Sequence, residues 1–171
     1  MEKIERERDG FRVTVVHHRA NDTKVRCDYD RIISCTGFQL DKDIFDEGCR
    51  PEMDPETYDR FPYQNPVWES VNVSGMYFAG TLMQQRDYYR KTTSGFIHGF
   101  RYNLRALFHY LEERYHDTLW PYNPIDRDEI GPAIIRLINR SSTLWQQFGF
   151  LGNVFVLGDE ETRHYEAVPM D

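Results

Sequence analysis

Residues 74–116 read SGMYFAGTLMQQRDYYRKTTSGFIHGFRYNLRALFHYLEERYH. A short apolar run, Met76 to Ala79, stops at Gly80 and Thr81. A basic, aromatic segment follows, then Ser94-Gly95. Beyond these, Ile97, Phe100, Leu104, Leu107, Phe108 and Leu111 repeat with the 3.6-residue period of a helix. Small residues at a strand end let another group approach the backbone closely. A helix N-terminus carries unpaired N–H groups and about half a positive charge. Together they could hold a phosphate or a ring on which negative charge develops. Thr92, Thr93 and Ser94 are candidate N-caps, and Arg114 and His116 stand where the C-terminal dipole favours cations.

Upstream, Phe11 to His18 alternates apolar and polar residues and predicts a strand. Asn21 and Asp22 supply a turn. Val25, Cys27 and Tyr29 alternate as a hairpin return. The continuous run Ile32-Ile33-Ser34-Cys35 then reads as a buried strand of parallel type, ended by Thr36-Gly37. Residues 39–70 carry four prolines among many acids and predict a long irregular connection. Val73 to Ala79 predicts another strand finishing on glycine. Downstream, a second helix is expected over about Asp128 to Phe148. Ile134, Leu137, Ile138, Trp145 and Phe148 lie on one face of it, with Gly149 as its C-cap. FLGNVFVL, GDEET and RHYEAVPM close the chain as a hairpin.

The chain has 171 residues and a formal charge of −7, with 21 Lys and Arg against 28 Asp and Glu. That balance argues against a nucleic-acid surface. No apolar run reaches the roughly 20 residues that cross a bilayer. Cys27, Cys35 and Cys49 form no CxxC pair and suggest neither a metal knot nor a local dithiol. No His grouping has a third ligand in view, so no metal site is expected. GxSxG, P-loop and HExxH patterns are missing, and no catalytic residue can be assigned. Sequons at Asn21, Asn72 and Asn139 carry meaning only in a secretory setting.

Taken alone, the strand-glycine and Ser-Gly junctions leave a cofactor role and a purely structural role both open. DYDRIISCTGFQLDKDIF resembles the strand and TG-F/Y signature found late in flavin-dependent oxidoreductases with two dinucleotide-binding domains, among them the flavin-containing monooxygenases. GMYFAGTLMQQRDYYRKTTSGFIHGFRYNLRAL is more specific. It resembles the FAD-dependent oxidoreductase domain-containing flavoproteins of the endoplasmic reticulum, associated with degradation of misfolded proteins. IIRLINRSSTLWQQFGFLGNVFVL and HYEAVPM are similar to the continuation of that family, so the resemblance runs from about Phe11 onward.

The resemblance implies an α/β fold, the C-terminal portion of a Rossmann-like flavoprotein with an added helix and hairpin. Residues 1–38 would end the nucleotide-binding domain, 39–116 would belong to the FAD-binding domain, and 117–171 would form the extension. It implies FAD as cofactor and NAD(P)H as electron donor. Thr36 and Gly37 would face the cofactors, and Gly80 and Thr81 would approach the flavin. The helix near Ser94 and Gly95 would point at the ring, with Arg86, Asp87 and Tyr88 shaping its edge and His98 in contact with it. The implied setting is the endoplasmic reticulum lumen, with disulfide reductases or misfolded glycoprotein clients as partners. Two departures stand out. No GxGxxG fingerprint precedes Phe11, so the chain reads as part of a longer protein, and this part alone is expected to hold FAD weakly or not at all. Tyr88-Tyr89 is one residue longer than the family pattern. The alternatives are a non-catalytic interaction module derived from this family and a monooxygenase-like enzyme.

Overall fold

Glu7 and Gly10 pair across the first tight turn of the chain, and Gly10 is required there, because a Cβ would stand 2.5 Å from the carbonyl oxygen of Tyr29. The computed structural model describes every residue except Thr36, Phe38, Lys91 and Asp171, and omits the side chains of Tyr89 and Arg90. The chain forms two units, Met1–Gln39 and Leu40–Asp171. The first is an antiparallel meander of β1 (Lys3–Glu7), β2 (Gly10–His17) and β3 (Thr23–Tyr29), in spatial order 1-2-3. Asn21 and Asp22 turn β2 into β3 with positive φ, as their short polar side chains tolerate. Val13 is its one buried apolar residue among those described.

The expected buried strand at Ile32 to Cys35 does not form. Residues 31–35 have no ladder partner among the described residues, and Ile33 is 87% exposed. Apolar β-branched composition favours a strand, but the ladder needs a neighbour.

The second unit begins with three 3-10 turns, Lys42–Ile44, Glu47–Cys49 and Pro55–Thr57. Asp54 caps the third, its Oδ1 accepting from Glu56 N at 2.9 Å. Short bridges, Met53 to Pro62, Gln64 to Ser70 and Glu69 to Tyr77, fold the expected connection into a packed layer. Trp68 is fully buried at a φ of +60°. Asn65 holds that strained turn, because its Oδ1 accepts from Val67 N and Glu69 N at 3.1 and 3.0 Å. The expected strand at Val73 to Ala79 is also replaced by a turn. Gly75 takes a φ of +79°, and its N–H donates to Glu69 Oε1 at 2.8 Å, bending the chain where a strand would run straight.

Residues Gly80–Arg90 wind as 3-10 helix with a break at Asp87. α1 spans Ile97–His116. It begins after extended Phe96, with no side-chain cap, so Thr92, Thr93 and Ser94 are not its N-caps. The expected second helix is divided. A 3-10 turn at Arg127–Glu129 precedes α2 (Ile130–Arg140) and α3 (Ser142–Gln146). Ser141 makes the break: it leaves the helical region at ψ 105°, and its Oγ accepts from Leu144 N at 3.4 Å to cap α3. The helix therefore ends before Gly149, and Gln147 is the C-cap. The closing hairpin, β5 (Leu151–Leu157) and β6 (Thr162–Pro169), forms as expected. β4 (Asn123–Ile125) adds to β6, giving the order 4-6-5. The core of the unit is Trp68, Met83, Ala106, Leu107, Phe150 and Leu151, with Trp68 edge-on to Phe150 at 5.7 Å. No described helix is long and apolar enough to cross a membrane.

Candidate functional site

Gly80 opens the 3-10 segment at a φ of +74°, a conformation L side chains rarely adopt. A Cβ built there would meet nothing within 4 Å, so Gly80 borders open space. Thr81 next to it is exposed. From here the segment is tied down residue by residue. Met83 enters the core, and the carbonyl of Leu82 accepts from Gln64 Nε2 at 2.8 Å. Gln85 Nε2 donates to Asp54 Oδ2 at 2.8 Å. Arg86 Nη1 donates to the carbonyl of Gln64 at 3.1 Å. These bonds hold 82–86 against the 54–64 loop, so Gly80 and Thr81 begin a fixed edge.

Asp87 and Ser94 are buried rather than at the rim. Asp87 Oδ2 accepts from the hydroxyls of Thr92 and Ser94. Ser94 Oγ also lies 2.8 Å from Gln147 Oε1 and accepts from Asn103 Nδ2 at 2.8 Å. A hydroxyl has one proton, so Ser94 donates to either Asp87 or Gln147 at a time. Thr93 Oγ1 reaches Gln146 Oε1 at 2.7 Å, and Thr93 N donates to the Gln146 carbonyl at 3.1 Å. The hydroxyls that the sequence offered as helix caps are spent on this internal network. Its effect is to fix residues 92–95 and hence the direction of α1.

Past the network the surface opens. Gly95 is tight, because a Cβ would come within 2.6 Å of Gln84 Oε1, the far end of a flexible side chain. This contact brings the 3-10 segment against the start of α1. Gly99 is tighter still, since a Cβ would fall 2.0 Å from the Thr93 carbonyl oxygen. His98 is exposed and stacks on exposed Phe96, with centroids 5.5 Å apart and planes 11° apart. Phe96 and Ile97 are 62% and 72% exposed. Gly80, Thr81 and His98 are thus on accessible rims, whereas Gly95 is covered by the Gln84 side chain. Arg86, Asp87 and Ser94 support them from beneath.

Gly37 lies in the first unit at a φ of +87°, and Thr36 falls outside the described residues. Cys27, Cys35 and Cys49 are all free thiols. Sequence reasoning missed Asn103, Gln147 and the clamp at Gln146. Amides in a helix and before a glycine carry no local sign of a partner 53 residues away. Gly99 was legible in principle, as the second glycine in a run that otherwise favours helix.

No family profile matches the chain, and no solved structure matches it. Two characterised proteins do. The chain is 34% identical over 153 residues to FAD-dependent oxidoreductase domain-containing protein 2 of Danio rerio, covering 90% of this chain and 22% of that protein. It is 36% identical over 148 residues to the protein of the same name from Mus musculus, covering 85% of this chain and 22% of that one. The chain therefore spans about a fifth of the length of the relatives it matches.

Proposed function

We propose that this segment forms the flavin-facing part of an FAD-dependent oxidoreductase. The observation that carries the reading is its similarity, over 85–90% of its length, to two proteins named for FAD-dependent oxidoreductase domains. Three local features fit such a cofactor. Gly80 borders open space at positive φ. α1 presents an N-terminus with no side-chain cap. The turn leading into that helix is fixed by the buried Asp87–Ser94–Gln147 network.

FAD would supply electron transfer. Gly80 and Thr81 would let its body lie close against the backbone. The amides at the start of α1 would stabilise negative charge on the ring. Phe96 and His98 would flank it as a stacked pair, excluding water from one side. Asp87 and Ser94 are positioning residues in this reading, acting through the turn they hold. A Rossmann-like frame, a bound NAD(P)H as donor, and delivery of electrons to disulfides or misfolded glycoproteins in the endoplasmic reticulum lumen rest on the resemblance of the 74–106 stretch. Monooxygenation of a small substrate is the alternative outcome of the same chemistry.

The test is the absorbance spectrum of the protein encoded by the full transcript that carries this segment. Stoichiometric flavin bands, lost on substitution of exposed Thr81→Tyr with the fold retained, are expected. A colourless folded protein would shift the assignment to an interaction module. One observation favours that second reading: Ile134, Ile135 and Ile138 of α2 and Trp145 of α3 are exposed apolar side chains.

A further inference from the structure

A cleft of about 580 Å³ lies between α1, α2 and the β4–β6 edge, and none of the residues assigned to flavin lines it. Its polar wall is made by Tyr102, Arg105, Arg136, Arg140, Ser142 and His164, and Glu166 is its one acid. Three guanidinium groups against one carboxylate is a local inversion in a chain whose formal charge is −7.

The charges are mostly uncommitted. Arg136 contacts Glu129 at 3.6 Å, across an exposed pair worth little in water. Arg105 and Arg140 have no ion-pair partner among the described residues. Glu166 is itself engaged, its Oε1 accepting from Asn123 Nδ2 at 3.3 Å.

The hydroxyls are oriented by their neighbours. Arg101 Nη2 donates to the Tyr102 hydroxyl at 2.7 Å, and Tyr102 donates on to Ser142 Oγ at 2.7 Å. Ser142 accepts that bond, so its own proton is free to donate to something else. His164 is buried, with Nε2 3.0 Å from Asn153 Oδ1 and its ring stacked on Phe155 at 4.5 Å. Pro124, Ile125, Ala133 and Leu137 give the remaining wall an apolar character. Arg105 also borders a second, smaller hollow with His109 and Trp120. Burial first and then Arg105 hold the His109 imidazole below its ordinary pKa, a second sign of positive potential on this side.

We propose that this cleft binds a phosphorylated small molecule, with the arginines and Ser142 on its phosphoryl group and its organic body against the apolar wall. Planar guanidinium forks match phosphoryl oxygens in pairs, and a free hydroxyl donor adds direction. A carboxylate ligand would use the same forks, but three of them suit the doubly charged group better. The proposal does not depend on the flavin reading.

The test is titration of the 171-residue chain with inorganic pyrophosphate, ADP and adenosine, followed by calorimetry and by amide shifts at Ser142 and His164. Saturable one-site binding of pyrophosphate and ADP is expected, with adenosine much weaker. Arg136→Gln and Arg140→Gln should each weaken ADP by about tenfold. Both arginines are exposed, so the fold should survive. Arg60→Gln removes the same charge outside the cleft and should change nothing. Absence of saturable binding would overturn the proposal, as would equal loss in Arg60→Gln. Binding only to vesicles carrying phosphoinositide, with none to the soluble phosphates, would overturn it as well.

Discussion

The two three-stranded antiparallel sheets of this chain are alike in pattern and opposite in support. In the β1–β3 meander only Val13 is buried among the apolar residues described, and β3 is exposed along nearly its whole length. In the β4–β6 sheet, Leu151 joins a core shared with α1, Met83 and Trp68. Backbone ladders of similar length thus rest on very different amounts of apolar burial. Hydrogen bonds alone contribute modestly, because water offers the unfolded strands the same bonds. The second unit should therefore carry most of the stability.

The largest effect is expected from Trp68→Ala, which empties the centre of the second unit and should cost about 3–5 kcal/mol there. Hydrogen exchange of α1 and β5 amides would read it directly. If β1–β3 amides lost protection equally, the two units would be one cooperative body and the contrast would fail.

Gly99→Ala should cost about 1–3 kcal/mol, by driving a Cβ into the Thr93 carbonyl and forcing the entry to α1 apart. Thermal unfolding compared with Gly131→Ala, where a Cβ meets nothing within 4 Å, isolates the clash from helix propensity. Equal destabilisation in the two variants would remove the close approach as the cause.

Acid separates the sheets next. The Gly75 amide, and then Arg114 at 2.9 Å, hold the Glu69 carboxyl below its ordinary value of 4.5. A depressed carboxylate stabilises the fold above its unfolded pKa, and that contribution is lost as pH falls through the lower folded value. Protection of the second unit should drop in this acid window, and Glu69→Gln should flatten the drop while lowering stability by about 1–3 kcal/mol at neutral pH. Arg12 in the meander likewise holds the Asp28 carboxyl below its ordinary value, at 2.7 Å, but across a largely exposed pair. Asp28→Asn should leave the melting temperature at physiological salt unchanged within error. A clear shift would mean that the exposed pair matters more than screening permits.

Elements whose signal is local were legible in the sequence. α1 followed from its apolar period, the β2–β3 hairpin from alternation around Asn21-Asp22, and the last hairpin from its Gly-Asp turn, whereas β1, charged along most of its length, gave no such signal. The strands expected at 32–35 and 73–79 failed for a shared reason. Apolar composition states a preference, while pairing depends on a neighbour, and at 73–79 Glu69 captures the Gly75 amide instead. The apolar face of α2 was visible as a period, but period does not reveal what covers it, and Ile134, Ile138 and Trp145 are exposed. At the candidate site Gly80 was readable as a glycine ending an apolar run. The burial of Asp87 and Ser94 was not, since both look like surface residues until Gln147 arrives.

That arrival carries a consequence for how the chain folds. α1 can wind early, since its bonds join residues four apart. The turn that aims it is closed by Ser94 and Thr93 reaching Gln147 and Gln146 across 53 residues. Closing so wide a loop is an entropic barrier that local helix formation does not lower. The polar contacts that aim α1 are therefore made late, after the segment they orient already exists.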